Sequence, residues 1–581
     1  MRRFLIMCSI INSRLNNQQG AVMVLVLILL LVLTVFATAA YEVAINNQKM
    51  LIAAAGSDAA LYNAEQGVHK YLWEFNNDPL FFDNDDLYME IDSNSERKIF
   101  QKDGDEEGNY RVQVIIPLKD ATLVNNRAYI RSTGWDENYP ERMRTIEVEL
   151  LRRTFTQYGM VTNTDINGNE AVYWMDGEKF YGPLHTNDTL YVGSYNPVFY
   201  GPVTYANGIV ISPDLRIADY QVFRQGNSRV DPLVFPPSND KLMALARVGG
   251  AGHYYNGRAC IMLKGDSYDI RYWDNDDNTW KYNGRPYTYT SSGNNNNRYD
   301  EVGTYRLTDT GATYGSFAAL RAAVPSLPLP ENRVIFVNGY TGDGGNGGRT
   351  YEFKFDPRYG NVFVSGELDG ELTIAAANDI YITGYDPVDW RRPNKQDSWG
   401  QPESLWVPRG SYTGGLTYTT TSFTQKMDGG DWLETVVSGD GDDMLGLVAA
   451  RRIEILHYNW PSQEAGNRYN WHDTDWWGDP VRIDVAPYDI HIQAALYVKD
   501  LSYGFEHPRV GNGKGTIYLV GSITQNVRGI VGDTGGHGYD KNYSHDPRML
   551  YTSPPHYIEP SNTGWQAMQW REISDHITST P

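Results

Sequence analysis

Residues 21–40 read AVMVLVLILLLVLTVFATAA, and residues 41–75 continue as YEVAINNQKMLIAAAGSDAALYNAEQGVHKYLWEF. At 1.5 Å per residue, the first stretch makes about 30 Å of helix, which matches the hydrocarbon thickness of a bilayer. No residue from Leu15 through Tyr41 is charged, Arg2, Arg3 and Arg14 precede the stretch, and Glu42 follows it. The positive-inside bias therefore predicts a single-pass, N-in orientation in the cytoplasmic membrane, with the rest of the chain outside. The second stretch has no proline, and Leu51, Ala54, Leu61, Ala64, Val68, Leu72 and Phe75 recur at helical spacing. Asn76-Asn77-Asp78-Pro79 then supplies turn formers and a helix-incompatible proline. Membrane span and amphipathic extension together predict one helix over residues 21–75, about 80 Å long.

Three fates of the N-terminus are compatible with this pattern. Ala37-Thr38-Ala39 offers an A-x-A site whose cleavage would release the chain. An uncut helix would remain as a plain anchor. Cleavage between Gly20 and Ala21 would instead leave the apolar helix at the start of the mature chain. A signal peptide has no reason to continue as a helix past its cleavage site, whereas this apolar stripe runs on to Phe75.

Gln19-Gly20-Ala21, Val32-Leu33-Thr34 and Ala64-Glu65-Gln66-Gly67-Val68 resemble the N-terminal region of PilX-type pilus assembly proteins, minor members of the type IV pilin class. The resemblance covers about residues 15–75. It implies a leader of residues 1–20, removed by a prepilin peptidase after Gly20, and a helix that packs among other pilin-like subunits of a pilus or pseudopilus. Most pilins carry glutamate at the fifth mature position, where this chain has Leu25. A carboxylate within a membrane costs about 2.5–3.5 kcal/mol and persists only with a partner. In that class the partner is understood to be the N-terminal amine of the neighbour nearer the tip. A tip subunit has no such neighbour, so Leu25 implies a tip or initiating position, or alternatively a protein that does not assemble. Glu65 and Leu25 are the residues that the resemblance points to for assembly.

Lys plus Arg number 50 against 71 Asp plus Glu, a formal charge of -21, which argues against nucleic acid as a partner. The 42 Tyr and 56 Gly, with abundant Asn and Asp, point to β-structure with many turns. Cys8 and Cys260 are too few to form a disulfide framework or a cysteine zinc site, and removal of the leader would leave Cys260 alone.

Three alternating strands follow the helix, around Tyr110–Ile116, Ala128–Ser132 and Thr145–Leu150. One apolar face each suits an antiparallel sheet laid on the amphipathic part of the helix, so residues 76–155 complete a pilin-like α+β module. Residues 156–581 form a β-rich extracellular body. Within it, Tyr181-Gly182-Pro183-Leu184 recurs nineteen residues on as Tyr200-Gly201-Pro202-Val203. Short apolar runs at 376–382, 449–455, 490–496 and 516–523 are separated by Gly/Asn/Asp-rich insertions. Such runs fit a parallel β-helix or solenoid, with a sandwich or mixed β-domain as the alternative. The body also resembles uncharacterised exported proteins with pilin-like N-termini, through Tyr181–Asn187, Gly536–Tyr543 and Asp546-Pro547-Arg548.

The residues carry little sign of catalysis. No G-x-S-x-G elbow, H-E-x-x-H pair or phosphate loop is present, and the glycine-rich run Gly342–Gly348 reads as a mobile loop. His537, Asp540, His545 and Asp546 are the densest group of potential ligands, yet their spacing suits a hydrogen-bonded loop that closes the body. His185, Asn187 and Asp188 read as a turn network. Asp83–Asp86 and Asp103–Gly108 are acidic runs, the second read as a solvated turn. Asp274, Asp276 and Asp277, and Asp440, Asp442 and Asp443, are carboxylate clusters of the kind that polysaccharide-cleaving solenoids use, and structural calcium is the only cofactor suggested for them. Tyr272, Trp273, Trp280, Tyr282, Tyr287 and Tyr289, and Trp471, Trp476 and Trp477, sit in polar insertions. Of these, Trp273, Trp280, Trp476 and Trp477 are candidates for recognising surface glycans or proteins. The reading that follows is a non-enzymatic minor pilin-like subunit that displays a β-rich domain for assembly or adhesion at the pilus or cell surface. The alternative is a membrane-anchored or secreted β-solenoid that binds or cleaves polysaccharide.

Overall fold

A computed structural model describes residues 2–77, 87–91, 97–102, 109–119, 122–123, 127–175, 177–193, 197–212, 219–247, 250–291, 303–342, 353–388, 414–459, 483–509, 513–533 and 535–577, with helix side chains from Val22 onward. The chain divides into two compact units. One comprises Met1–Ile116, Ala128–Leu151 and Trp565–Pro581; the other comprises Pro117–Arg127 and Arg152–Gly564.

In the first unit, Arg2–Asn77 is one uninterrupted α-helix, α1. Its C-terminal part buries Ala60, Ala64, Val68, Tyr71 and Phe75, the last four packed with Val112, Val114, Ile116, Ala128, Ile130, Ile146, Val148 and Leu150. Steps of three and four hold the helix residues on one face, and period two does the same for the strands. The stripe read from the sequence began too early. Leu51 is 71% exposed and Ala54 is also exposed, so packing begins near Gly56 and Ala60. Close approach of helix and sheet depends on glycine. A Cβ at Gly67 would overlap Tyr110 and Val112, at 2.8 and 2.9 Å, and one at Gly134 would overlap the helix backbone at Ala60 and Ala64.

The sheet runs in the order Leu87–Ile91, Arg97–Lys102, Tyr110–Lys119, Arg127–Asp136, Tyr139–Leu151 and Gln566–Ile573. The last strand pairs antiparallel with Tyr139–Leu151, Trp570 opposite Val148. The sequence reading missed this return and assigned residues 566–573 to the body. Everything from Arg152 to Gly564 is thus inserted between two strands that are neighbours in the sheet. The seam carries a polar network in which Arg131 lies 2.8 Å from buried Glu147, and Arg571 pairs with the same carboxylate. Burial pushes the Glu147 pKa up, but Arg571 and Arg131 outweigh it and hold the carboxylate below its usual range.

The second unit is β-rich, and most of its strands belong to one 25-stranded sheet. One parallel ladder runs His253–Asn256, Val334–Asn338, Glu371–Ala376, Met444–Ala449, Ile490–Val498, Thr516–Val527, Met160–Thr164, Leu184–Thr186, Val203–Tyr205 and Asn227–Arg229. Its registers align Ile335, Ile374, Leu447, Leu496, Ile523, Met160, Leu184 and Val203 in one buried column. A second ladder aligns Ile261, Val364, Ile382, Ile455 and Phe505. A third aligns Leu416, Ile492, Leu519, Tyr543, Phe180 and Phe199. Each column buries the inward member of an alternating pair, so apolar contact runs along the ladders.

The chain does not build this stack from one end. It enters in the interior at Met160–Thr164, builds outward to Asn227–Arg229, resumes at the far end with His253–Asn256, and works back. Closure comes when Thr516–Val527 pairs with Met160–Thr164, Ile523 opposite Met160. An antiparallel meander, Ala259–Gly265, Ser267–Asp274, Thr279–Tyr282, Arg285–Ser291 and Gly303–Leu307, grows from the far end. Its own core is aromatic, with Tyr282, Tyr287, Tyr305 and Phe317 buried together.

Candidate functional site: an uncovered apolar helix

Among the described residues, the first unit leaves one large apolar surface without a partner. From Val22 to Phe36 the valine, leucine, isoleucine, methionine and phenylalanine side chains of α1 are all exposed, Leu25 at 64% and Phe36 at 69%. Exposed apolar surface on this scale marks a membrane or protein interface. Hydroxyls within the stretch are satisfied internally. Thr34 Oγ1 lies 2.8 Å from the Leu31 carbonyl and 3.0 Å from that of Leu30, and Thr38 Oγ1 donates back to Thr34 and Val35. The segment therefore offers hydrocarbon no unsatisfied hydroxyl, as a membrane span requires. It is long and apolar enough to cross a bilayer.

The residues expected to act in assembly fall at different places on α1. Gly20 and Ala21 lie in the stretch where only the helix backbone is described. Leu25 is on the uncovered part. Glu65 is half-buried within the packed part. Near it, Arg144 is held charged first by its hydrogen-bonded ion pair with Glu572 and further by the charges of Asp58 and Glu65. The end of the helix is clamped by the returning strand. Trp565 packs on Phe75 with 4.9 Å between ring centroids, and Asn76 accepts from the Trp565 N–H at 2.6 Å while donating to its carbonyl at 3.1 Å.

In the second unit, the residues singled out for chemistry are dispersed into structural roles. His545 is buried and bonded to the Thr156 carbonyl at 2.8 Å, whereas His537 is exposed and bonded to Asp533 at 3.0 Å. Asp546 is buried on Arg548 at 2.7 Å, and Asp540 is exposed. The segment read as a closing loop is instead a strand, Asp540–His545, paired on both sides inside the ladder. That placement corrects the reading, because the run pairs with a strand on either side instead of closing the body as a loop. His185 forms the expected turn network, with Nδ1 2.8 Å from Thr204 Oγ1 and Nε2 2.9 Å from Asn187 Oδ1. Burial lowers its pKa to about 4.

The acidic loops are also engaged. Asp443 accepts from the N–H groups of Gly370, Thr420 and Thr421 at 2.7–3.0 Å, and Asp274 pairs with Lys281 at 2.6 Å. Asp83–Asp86, Asp103–Gly108, Asp343–Gly348, Trp471, Trp476 and Trp477 lie outside the described residues. Trp273 and Trp280 form an edge-on pair, 5.6 Å between centroids, with Arg258 over Trp280. They are half-buried strand residues facing each other across Ser267–Asp274 and Thr279–Tyr282. Tyr282 and Tyr287 are buried in the core of this insertion and Tyr272 in the core of the ladder, contrary to their placement in polar loops. Cys260 is fully buried and free, and burial pushes its thiol up to about 12.

Residues 123–207 match a family model described as a domain of unknown function, DUF4900. No curated protein matches the chain. Among solved structures, the chain is similar to the competence-associated pilin ComZ from Thermus thermophilus, at 10% sequence identity and a TM-score of 0.27, over 90% of this chain and 98% of that one.

Proposed function

We propose that the chain is a minor pilin-like subunit of a type IV pilus or pseudopilus, cut after Gly20 by a prepilin peptidase and assembled through α1. The observation that carries the reading is the division of α1 into two working halves. The same uninterrupted helix exposes an apolar span from Val22 and then packs Ala64 to Phe75 on its own sheet. A cleavable signal or plain anchor needs only the first half, whereas a filament subunit needs both. The exposed half provides membrane residence before assembly and helix packing after it. On this reading the chain is not an enzyme, and the body is displayed at the surface. The parallel ladders support reading that body as a β-solenoid with long insertions.

Mass spectrometry of the mature N-terminus tests the proposal. A chain that begins at N-methylated Ala21, and is unprocessed in cells lacking prepilin peptidase, is the expected result. A chain beginning at Ala40, or an intact Met1, would replace it with plain export or plain anchoring.

A further inference from the structure

The third ladder has an outward face as well as a buried column. Between the inward residues Ile492, Leu519 and Tyr543, the strands Ile490–Val498, Thr516–Val527 and Asp540–His545 point His491, Gln493, Tyr518, Val520 and Asn542 outward. The hairpin Thr421–Asp428 and Asp431–Gly439 lies over this face. It is fastened by Gln425 to Asn542 at 3.0 Å and by Thr435 to Ser544 at 2.5 Å. Hairpin and ladder enclose a cleft of about 330 Å³, lined by these outward residues together with Phe423 and Thr424. Its volume falls at the lower end of the roughly 300–1,000 Å³ typical of small-ligand sites.

The lining has a definite chemistry. His491 and Tyr518 are opposite each other in register, and their rings stack at 4.8 Å with planes 16° apart. Gln493 Oε1 is used by the Tyr418 N–H and Asn542 Oδ1 by Gln425, which leaves both amide NH₂ groups as donors without a protein partner among the described residues. The His491 ring nitrogens and the Tyr518 hydroxyl are likewise unbonded there. Among the described residues, no Lys, Arg, Asp or Glu lines the cleft, and burial lowers the pKa of His491, which keeps its ring neutral. Ring surface beside uncharged donors and acceptors matches the two faces of a neutral sugar, apolar C–H on one side and hydroxyls around the rim. An anionic ligand would find no compensating charge.

We propose that this cleft binds a neutral saccharide unit, held against the Tyr518 and His491 rings and hydrogen-bonded by Gln493 and Asn542. The site goes beyond the assembly reading and is independent of it, since processing is read at the N-terminus and saccharide binding in the body.

The test titrates the full chain in detergent with cellohexaose, chitohexaose and maltohexaose, and with trigalacturonate as the charged comparison, by calorimetry or saturation-transfer NMR. Saturable binding of at least one neutral oligosaccharide, with none of the galacturonate, is expected. Tyr518→Ala, at a position 38% exposed, should weaken binding by about tenfold or more with little change in unfolding temperature. Val520→Phe, which fills the cleft while leaving every hydrogen-bonding group in place, should abolish it. Absence of binding to all three neutral sugars, equal binding of the galacturonate, or binding unmoved by both variants would each overturn the proposal.

Discussion

The rings of Tyr181 and Tyr200 lie face to face, 5.2 Å apart at their centroids and 8° from parallel. Each opens a Tyr-Gly-Pro motif, and the two motifs stand one above the other, with Leu184 paired to Val203 and His185 to Thr204. The nineteen-residue repeat in the sequence is therefore one step of the ladder. Gly201 is fixed by the same stacking, because a Cβ there would overlap the carbonyl group of Gly182. Gly201→Ala should lower stability by about 1–3 kcal/mol, the usual cost of forcing atoms into a filled site. Gly208→Ala is the control, since its Cβ would meet nothing within 4 Å. Denaturant midpoints of the two variants check the difference.

That repeat was legible because no insertion separates its copies. Elsewhere the same column passes from Ile335 to Ile374, Leu447, Leu496 and Ile523 across insertions of unequal length, which erases any period while leaving each short apolar run readable. The return of the chain to the middle of the stack was not legible at all. Nothing local in the Met160–Thr164 strand says that Thr516–Val527 will lie beside it, because parallel pairing is decided by chain path rather than by a turn. The outward cleft residues were within reach, since alternation along Ile490–Val498 and Thr516–Val527 already separates His491 and Tyr518 from the buried positions. The covering hairpin that turns that face into a cleft was not. The two halves of α1 were readable from hydropathy, but the point where packing starts depended on how far the sheet reaches.

In the first unit, the Gln566–Ile573 strand is mostly exposed, so its contribution lies in edge pairing, in the Arg571–Glu147 ion pair and in the preceding Trp565 on Phe75. Trp565→Ala should cost about 1–2 kcal/mol for loss of a half-buried aromatic side chain. It should also raise amide exchange selectively at the end of α1, near Tyr71 to Asn77. Hydrogen exchange by mass spectrometry on the full chain reads both the size and the location of the effect. A uniform increase across the sheet, or none at the helix end, would show that the C-terminal strand does not clamp the helix.

Burial of His185 makes acid sensitivity a property of the body. Its pKa falls from 6.5 to about 4, chiefly through desolvation, so the folded chain favours the neutral ring. For a depressed histidine, the stabilisation is complete above pH 6.5 and is lost as pH falls from there towards 4. The difference corresponds to about 3 kcal/mol. Burial moves His545 in the same direction. Asp379 works the other way, because desolvation raises its pKa to about 6, and its contribution is lost as pH rises through that value. His185→Gln isolates one contribution. It can still donate to Asn187, and it should flatten the fall in stability between pH 6.5 and 4 relative to the parent chain.

Leu25 gives the sharpest test of where such a subunit would sit. It projects from the uncovered part of α1 and is exposed in its own chain. Leu25→Glu places a carboxylate where insertion costs about 2.5–3.5 kcal/mol unless a cation meets it. Within a filament, the N-terminal amine of a subunit ahead would be that cation, and at a tip no such subunit exists. The parent chain should therefore be found at filament ends, and the variant should gain incorporation along the shaft. Immunogold labelling of the body, with quantification in sheared filaments, distinguishes the two distributions. If the variant and the parent are both absent from filaments while processing at Ala21 is intact, the chain is a processed membrane protein that does not assemble. If both are found along the shaft, Leu25 carries no information about position.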